Sequence, residues 1–284
     1  MVSGATRILG IFGDPVSHSL SPAMQNAALE QAGIDAVYVP FHVRPTDLPA
    51  AVAALRACHI WGINATIPHK EAILSHLDAL DATARLIGAV NTVVNRDGHL
   101  TGYNTDGVGL LRSLAEDFGF IPEGRRILLL GAGGACRAAM VALAAAGARW
   151  IGVANRTESR ARQLVDAFAH EFEGTSFACL PFLPSALESA LPAIDLMINT
   201  TSVGLHGESF PDFPWQALQA VVPVYDMVYA LSGTPLLQQA AARGHRTADG
   251  RGMLAAQGEE AFALWTGQRP QPGLMRRVVV AGSS

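Results

Sequence analysis

The chain has 284 residues, 50% of them hydrophobic and 15% charged. That is enough apolar material for two domains at roughly 150 residues each, and too apolar for a disordered chain. Twenty Lys and Arg against 24 Asp and Glu leave a net charge of −4 with no basic block, so neither nucleic acid nor an anionic membrane is an expected partner. No run approaches the roughly 18 apolar residues of a membrane span. No leader is visible in the opening segment, which carries Asp14, Pro15 and His18. Cys58, Cys136 and Cys179 are far apart and form neither a zinc pattern nor a disulfide framework. A cytoplasmic, metal-free protein is expected, a monomer or homodimer.

The first hundred residues alternate strand and helix. Arg7–Phe12 reads as a strand ending at the loop signal Gly13-Asp14-Pro15. Ser21-Pro22 reads as a helix start, with Ser21 as N-cap, and Gly33 as its end. Val37–Val43 is the next strand, a helix starts at Thr46, and Ile60–Ile67 is the third strand, followed by a helix from His69 or Lys70. Val90–Asn95 and His99–Tyr103 flank the hairpin signal Arg96-Asp97-Gly98. A helix then runs from about Thr105 to Phe118.

Beyond it the pattern is βαβ. Arg126–Leu130 is a continuous apolar run, as a parallel strand buried on both faces requires. A glycine-rich loop, an Ala-rich helix to Ala146, the strand Trp150–Ala154 and the helix Glu158–Phe172 follow. Ser176–Leu180, Leu196–Asn199 and Val224–Val228 are further strands, and Met253–Trp265 is a helix. This implies an α/β protein with a doubly wound parallel sheet of Rossmann type. No flexible linker intervenes, so the boundary near Thr105 falls in a helix.

Gly131, Gly133 and the small Cys136 match G-x-G-x-x-[small] between strand and helix. The first glycine allows the tight turn, the second admits a pyrophosphate, and the small residue lets helix pack on strand. Gly131, Ala132, Gly133, Gly134 and Ala135 are the candidate phosphate loop. An NAD site usually places a carboxylate at the end of the second strand. Here Asn155, Arg156 and Thr157 stand there, with Arg160 one turn on, a cationic clamp for a 2′-phosphate. NADP(H) is the expected cofactor, with Glu158 the one dissenting residue. The alternative is that these arginines merely solvate a helix.

The substrate half is marked by polar groups where apolar elements end. Ser19 and Ser21 share one side of an extended segment, and Asn64 and Thr66 repeat that alternation. Asn91-Thr92 and Asn104-Thr105-Asp106 add more. The blander roles are a helix cap for Ser21 and a helix-start carboxylate for Asp106. Nineteen of the 20 basic residues are Arg, and the one Lys is Lys70. Arg does not release a proton near neutral pH, whereas Lys can be tuned to do so. An ammonium held by a carboxylate could protonate a ketone oxygen as hydride arrives.

These segments together resemble the shikimate dehydrogenase family. They are Gly13–Asn26, Gly62–Lys70, Gly88–Thr92, Gly102–Gly107, Gly131–Cys136, Asn155–Thr157, Tyr225–Tyr229, Thr234–Leu237 and Asp249–Gln257. The resemblance spans nearly the whole chain. It implies an α/β substrate domain of residues 1–106 and 248–284, over an NADP domain of residues 107–247, with a cleft between them. It implies reversible NADP-dependent reduction of 3-dehydroshikimate to shikimate, in aromatic amino-acid biosynthesis. Lys70 and Asp106 fall on the family's catalytic pair. Ser19 and Ser21 fall on its carboxylate-binding serines, and Asn64, Thr66, Asn91, Tyr225 and Gln257 on its other substrate contacts. Met227 and Gly250 fall near its nicotinamide. Gln25 stands where many members have His, and Ala65 where Val is common. The Gln also occurs in quinate/shikimate dehydrogenases, so a paralogue with broader substrate or cofactor use is the alternative. A non-catalytic NADP sensor would have lost the Lys/Asp pair.

Overall fold

In a computed structural model, which describes residues 2–230 and 233–282, the chain folds as two units. One comprises Met1–Gly109 with Leu254–Ser284, the other Leu110–Met253. The divisions fall inside two helices, α5 (Asp106–Phe118) and α10 (Arg251–Thr266).

The sheet of the first unit is mixed. Strands β1 (Arg7–Gly13), β2 (Ala36–His42) and β3 (Gly62–Ala65) are parallel. The short β4 (Ala79–Leu80) and the hairpin β5 (Thr92–Arg96) and β6 (His99–Tyr103) complete the order β2-β1-β3-β5-β6-β4. β5 runs antiparallel to both β3 and β6. One apolar cluster gathers Met24 and Leu29 of α1 (Ser21–Gln31), Phe262 and Trp265 of α10, and Met275 and Val279 of α11 (Leu274–Ala281). A second gathers Val52 and Leu55 of α2 (Leu48–Ala57) with Ile63, Ile73 and Leu100. Asn26, in the first family motif, clamps α1 to β2. Its Nδ2 donates to the Tyr38 carbonyl and its Oδ1 accepts from the Tyr38 N–H, both at 2.8 Å.

The second unit has an all-parallel sheet. Its strands are β7 (Arg126–Leu130), β8 (Trp150–Asn155), β9 (Ser176–Pro181), β10 (Leu196–Asn199), β11 (Val224–Asp226) and β12 (Thr247–Asp249). The order β9-β8-β7-β10-β11-β12 is the doubly wound Rossmann arrangement, reversing between β7 and β10. The helices α6 (Gly134–Ala145), α7 (Glu158–Phe168), α8 (Pro184–Ala190) and α9 (Pro235–Ala241) follow β7, β8, β9 and β11. As continuous apolar runs require, Ile127–Leu130 and Ile151–Ala154 are fully buried.

Several boundaries differ from the sequence reading. Ser21 is not a cap: Leu20 precedes the helix, Ser21 is its first residue, and no side chain caps it. Thr46 lies in a 3₁₀ turn (Pro45–Asp47) ahead of α2. The third strand stops at Ala65, so Thr66 lies just past it. The helix from His69 lasts one turn, α3 (His69–Ala72), before tightening to 3₁₀ at Ile73–His76. β11 ends at Asp226 rather than Val228, and α7 at Phe168 rather than Phe172. Unforeseen elements include β4, α8, α9, β12 and α4 (Ala82–Ile87), most of them short. Two of these helices carry legible caps: Asp81 accepts from the Ala84 N–H at 2.7 Å, and Thr234 accepts from the Leu237 N–H at 3.4 Å.

Trp265 ties α10 to the first sheet. Its side chain is buried and its indole N–H donates to the Val93 carbonyl at 2.9 Å. A Cβ on Gly62 would collide with that indole, so β3 must carry glycine there. Replacing Trp265 by Ala is expected to lower the unfolding free energy by about 3–5 kcal/mol, measured by urea denaturation.

Candidate active site

In the first unit the loop after β3 delivers Thr66 and the one-turn α3 delivers Lys70, Asn91 and Thr92 stand just before and at the start of β5, and α5 opens with Asp106. The Lys70 Nζ lies 2.6 Å from Asp106 Oδ2. The Lys70 side chain is 32% exposed and the Asp106 side chain 11%. Asp106 is thus a helix-start carboxylate and a lysine partner at once. Its other oxygen, Oδ1, accepts from Asn91 Nδ2 at 2.8 Å. With both oxygens engaged, the carboxylate cannot swing, and the ammonium it holds keeps two further N–H donors.

Asn91 is the hub. Its Nδ2 also lies 2.9 Å from Thr105 Oγ1 and 3.3 Å from Gln257 Oε1, while its Oδ1 accepts from the Thr105 N–H at 2.9 Å. Asn64 Nδ2 donates to the Asn91 carbonyl at 3.0 Å and to Thr92 Oγ1 at 3.1 Å. Asn64 Oδ1 accepts from the Tyr38 hydroxyl at 2.7 Å. Burial pushes the Tyr38 phenol well above its ordinary pKa, with a smaller opposing influence from Ser21. Ser19 Oγ accepts from the Ser21 N–H at 3.2 Å. Thr66 packs its methyl against Gly13, where a Cβ would sit 2.6 Å from it.

Asn64, Lys70, Asn91, Asp106 and Gln257 therefore share one hydrogen-bonded cluster, while Ser19 and Ser21 are joined to each other through the Ser21 amide. Tyr225 lies in the second unit, fully buried, its hydroxyl 2.9 Å from Ser113 Oγ. Sequence reasoning missed Tyr38, and saw Thr105 only as part of a polar run. The available signal for Tyr38 was a polar side chain among the apolar positions of the Val37–Val43 strand.

The second unit presents a different surface. Gly131 has φ +110°, and a Cβ there would sit 2.6 Å from Thr201 Cγ2. A Cβ on Gly133 would meet nothing, and Gly133, Gly134 and Ala135 are exposed. The small third position behaves as its role requires: Cys136 is fully buried, its thiol pushed up to about 12 by burial. No side chain caps α6, so its first N–H groups are free for an anion. At the end of β8, Asn155 Nδ2 donates to the Thr157 carbonyl at 2.8 Å. Arg156 and Arg160 are exposed and have no ion pair among the described residues. Glu158 does not compete with them: its carboxylate lies 2.6 Å from Arg162. Gly250 is needed because a Cβ there would strike the Met227 carbonyl. A Cβ on Gly252 would crowd the Ser113 hydroxyl of α5. Among the described residues no group of three or more His, Cys, Asp or Glu could hold a metal, and no helix is long and apolar enough to cross a membrane.

A dinucleotide-type α/β unit and a unit carrying a lysine–carboxylate pair define an α/β oxidoreductase framework. Residues 11–93 match the family described as shikimate dehydrogenase substrate binding domain. Residues 114–204 match shikimate / quinate 5-dehydrogenase, and 250–280 the shikimate 5'-dehydrogenase C-terminal domain. The chain is 54% identical to the shikimate dehydrogenase (NADP(+)) of Geobacter metallireducens over 280 residues, 99% of this chain and 98% of that protein. It superposes with a TM-score of 0.91, at 35% identity, on a shikimate dehydrogenase solved in complex with NADP+, covering 100% of this chain and 98% of that one. The Thermus thermophilus enzyme in complex with NADP(H) and shikimate gives 0.84 at 38% identity, with 98% and 100% covered. The chain belongs to the shikimate dehydrogenase family.

One buried acid in the second unit titrates in an accessible range. Burial, with a smaller push from Asp249, raises Asp226 to about 6. Asp249 is itself paired with Arg251 at 2.7 Å. The folded state therefore binds more protons than the unfolded chain between about pH 4 and pH 6, so this group's contribution to stability falls as pH rises through that window and is flat above it. Asp226→Asn should gain on the unsubstituted protein between about pH 4 and 7, by up to about 3 kcal/mol. Paired urea melts check this, and a pH-independent difference refutes it.

Proposed function

We propose that the chain catalyses the reversible NADP-dependent reduction of 3-dehydroshikimate to shikimate. The observation that carries this reading is the Lys70–Asp106 pair at 2.6 Å, its carboxylate locked by Asn91, in a chain of this family. The first unit is read as the substrate domain and the second as the NADP domain. Ser19 and Ser21 receive the substrate carboxylate, and Asn64, Thr66, Asn91 and Gln257 its ring hydroxyls. Tyr225, in the second unit, is read as a further substrate contact; its hydroxyl, 2.9 Å from Ser113 Oγ, keeps hydrogen-bonding capacity beyond that one bond.

The residues of the second unit fit NADP(H). The uncapped α6 and the open Gly133–Ala135 loop suit the pyrophosphate. Arg156, Arg160 and Thr157 suit the 2′-phosphate, and Met227 with Gly250 the nicotinamide end. NADPH, when bound, supplies the hydride. Lys70 supplies the proton: one N–H of its ammonium points at the substrate carbonyl oxygen while Asp106 holds the group in line. In the oxidative direction Lys70 takes the hydroxyl proton back. The enzyme is read as cytoplasmic, a monomer or homodimer, serving aromatic amino-acid biosynthesis.

Initial rates with shikimate and quinate, each with NADP+ and NAD+, test the assignment. Shikimate with NADP+ is expected to be fastest, and a preference for quinate with NAD+ overturns it. In the same assay Arg156→Ala should weaken NADP+ about ten- to a hundredfold and leave NAD+ nearly unchanged. Equal losses for both would remove the clamp.

Lys70→Ala should reduce kcat by about 10²–10⁴-fold, with KM changing less. Lys70→Arg keeps the charge but cannot readily give up a proton, so it too should be slow. Near-full kcat in Lys70→Arg would reduce the lysine to an electrostatic anchor.

A further inference from the structure

Asp226 is a fully buried carboxylate at the carboxyl end of β11, and the proton-transfer chemistry makes no use of it. A buried charge persists only where hydrogen bonds compensate its desolvation. Here three donors do so. Oδ1 accepts from Asn199 Nδ2 at 2.8 Å and from the Val228 N–H at 3.0 Å. Oδ2 accepts from the Thr234 hydroxyl at 2.6 Å.

Each partner leads to a loop. Asn199 ends β10, and its Oδ1 accepts from both the N–H and the hydroxyl of Thr201, at 2.9 and 2.7 Å. Its Nδ2 also donates to the Val203 carbonyl at 3.1 Å, and its carbonyl accepts from the Met227 N–H at 3.0 Å. The side chains of Thr200 and Thr201 wall the turn at Gly131, 2.9 and 2.6 Å from where a Cβ would stand. The Met227 carbonyl abuts Gly250. Thr234, which caps α9, closes the loop after Asp226 and lies against Gly204. One carboxylate thus joins the segments after β10 and β11 to the turns at Gly131 and Gly250.

We infer that Asp226 is a positioning residue for the dinucleotide site: through Asn199 and Thr234 it sets Thr200 and Thr201 against the Gly131 turn and Met227 against Gly250. This rests on the reading that the Gly131 loop and Met227 hold NADP(H). Removing the carboxylate leaves the Val228 N–H and the Thr234 hydroxyl without an acceptor in a buried place, and the loops relax to find one. Asn at 226 keeps an oxygen for Asn199 and Val228 and turns an amide toward Thr234, which can accept it.

The test titrates NADPH into the protein without substrate, following nicotinamide fluorescence, on the unsubstituted protein and three variants. Asp226→Ala should raise the Kd at least tenfold and Asp226→Asn by less than about threefold. Thr234→Val, which removes the Oδ2 donor and the α9 cap but keeps the carboxylate, should raise it about three- to tenfold. KM for shikimate at saturating NADP+ should stay within about twofold in every variant, a split that general loosening would not produce. Circular dichroism confirms folding, and if Asp226→Ala does not fold, Thr234→Val decides. Unchanged NADPH affinity in a folded Asp226→Ala or Thr234→Val protein overturns the inference, as does a parallel rise in the shikimate KM. An unsubstituted protein that fails to bind NADPH defeats the cofactor reading and this inference with it. Normal binding there, with indifferent variants, defeats this inference alone.

Discussion

The first unit depends on the side-chain amide of Asn91. It fixes one oxygen of Asp106 while Lys70 takes the other, and so turns a flexible surface ion pair into an oriented one. Exposed pairs of this kind contribute little, because both side chains lose entropy in holding one geometry. Asn91 removes that freedom from the carboxylate side. Its own position is set by the main chain: its N–H donates to the Tyr103 carbonyl at 3.0 Å, and its carbonyl accepts from the Ala65 N–H at 2.9 Å. The geometry of the Lys70–Asp106 pair is thus inherited from the register of β3, β5 and β6.

The hydrogen bonds around that hub also have a forced direction. The Asn91 carbonyl only accepts, so Asn64 must present Nδ2 to it and Oδ1 to Tyr38. Tyr38 must then donate to Asn64. A chain with every amide orientation determined survives burial at low cost, where a half-satisfied one would not. It also means that the cluster is specific: each polar group has one orientation in which all its neighbours are satisfied.

The second unit handles polarity in the opposite way. At the Gly131 loop and the end of β8 donors are left open, since α6 has no side-chain cap and Arg156 and Arg160 have no ion pair among the described residues. Open donors and free cations are what a bound phosphate requires. The carboxylate nearest to it in sequence, Glu158, is taken by Arg162, and the buried Asp226 is hydrogen-bonded by Asn199 and Thr234. Neither carboxylate therefore competes for the open donors at the Gly131 loop and the end of β8.

Much of this was legible in the chain, because it is local. Apolar runs fixed β7 and β8, the glycine spacing fixed the turn before α6, and Arg96-Asp97-Gly98 fixed the β5–β6 hairpin. A single lysine among 20 basic residues marked Lys70, and the family resemblance, rather than anything local, implied Asp106 as its partner. Short elements such as β4 and β12 escaped, since two or three residues carry no periodicity. The Ser21 cap also failed: Leu20 precedes the helix, Ser21 is its first residue, and no side chain caps it. What tertiary structure alone decided were the pairings across distance. Asn91 meets Gln257 from 166 positions away, Tyr38 reaches Asn64, and Asp226 joins Asn199 to Thr234. Spacing in sequence reveals which face of an element a residue occupies. Which groups those faces meet is set by strand register and helix packing, and these minimise buried unsatisfied polar atoms over the whole unit at once.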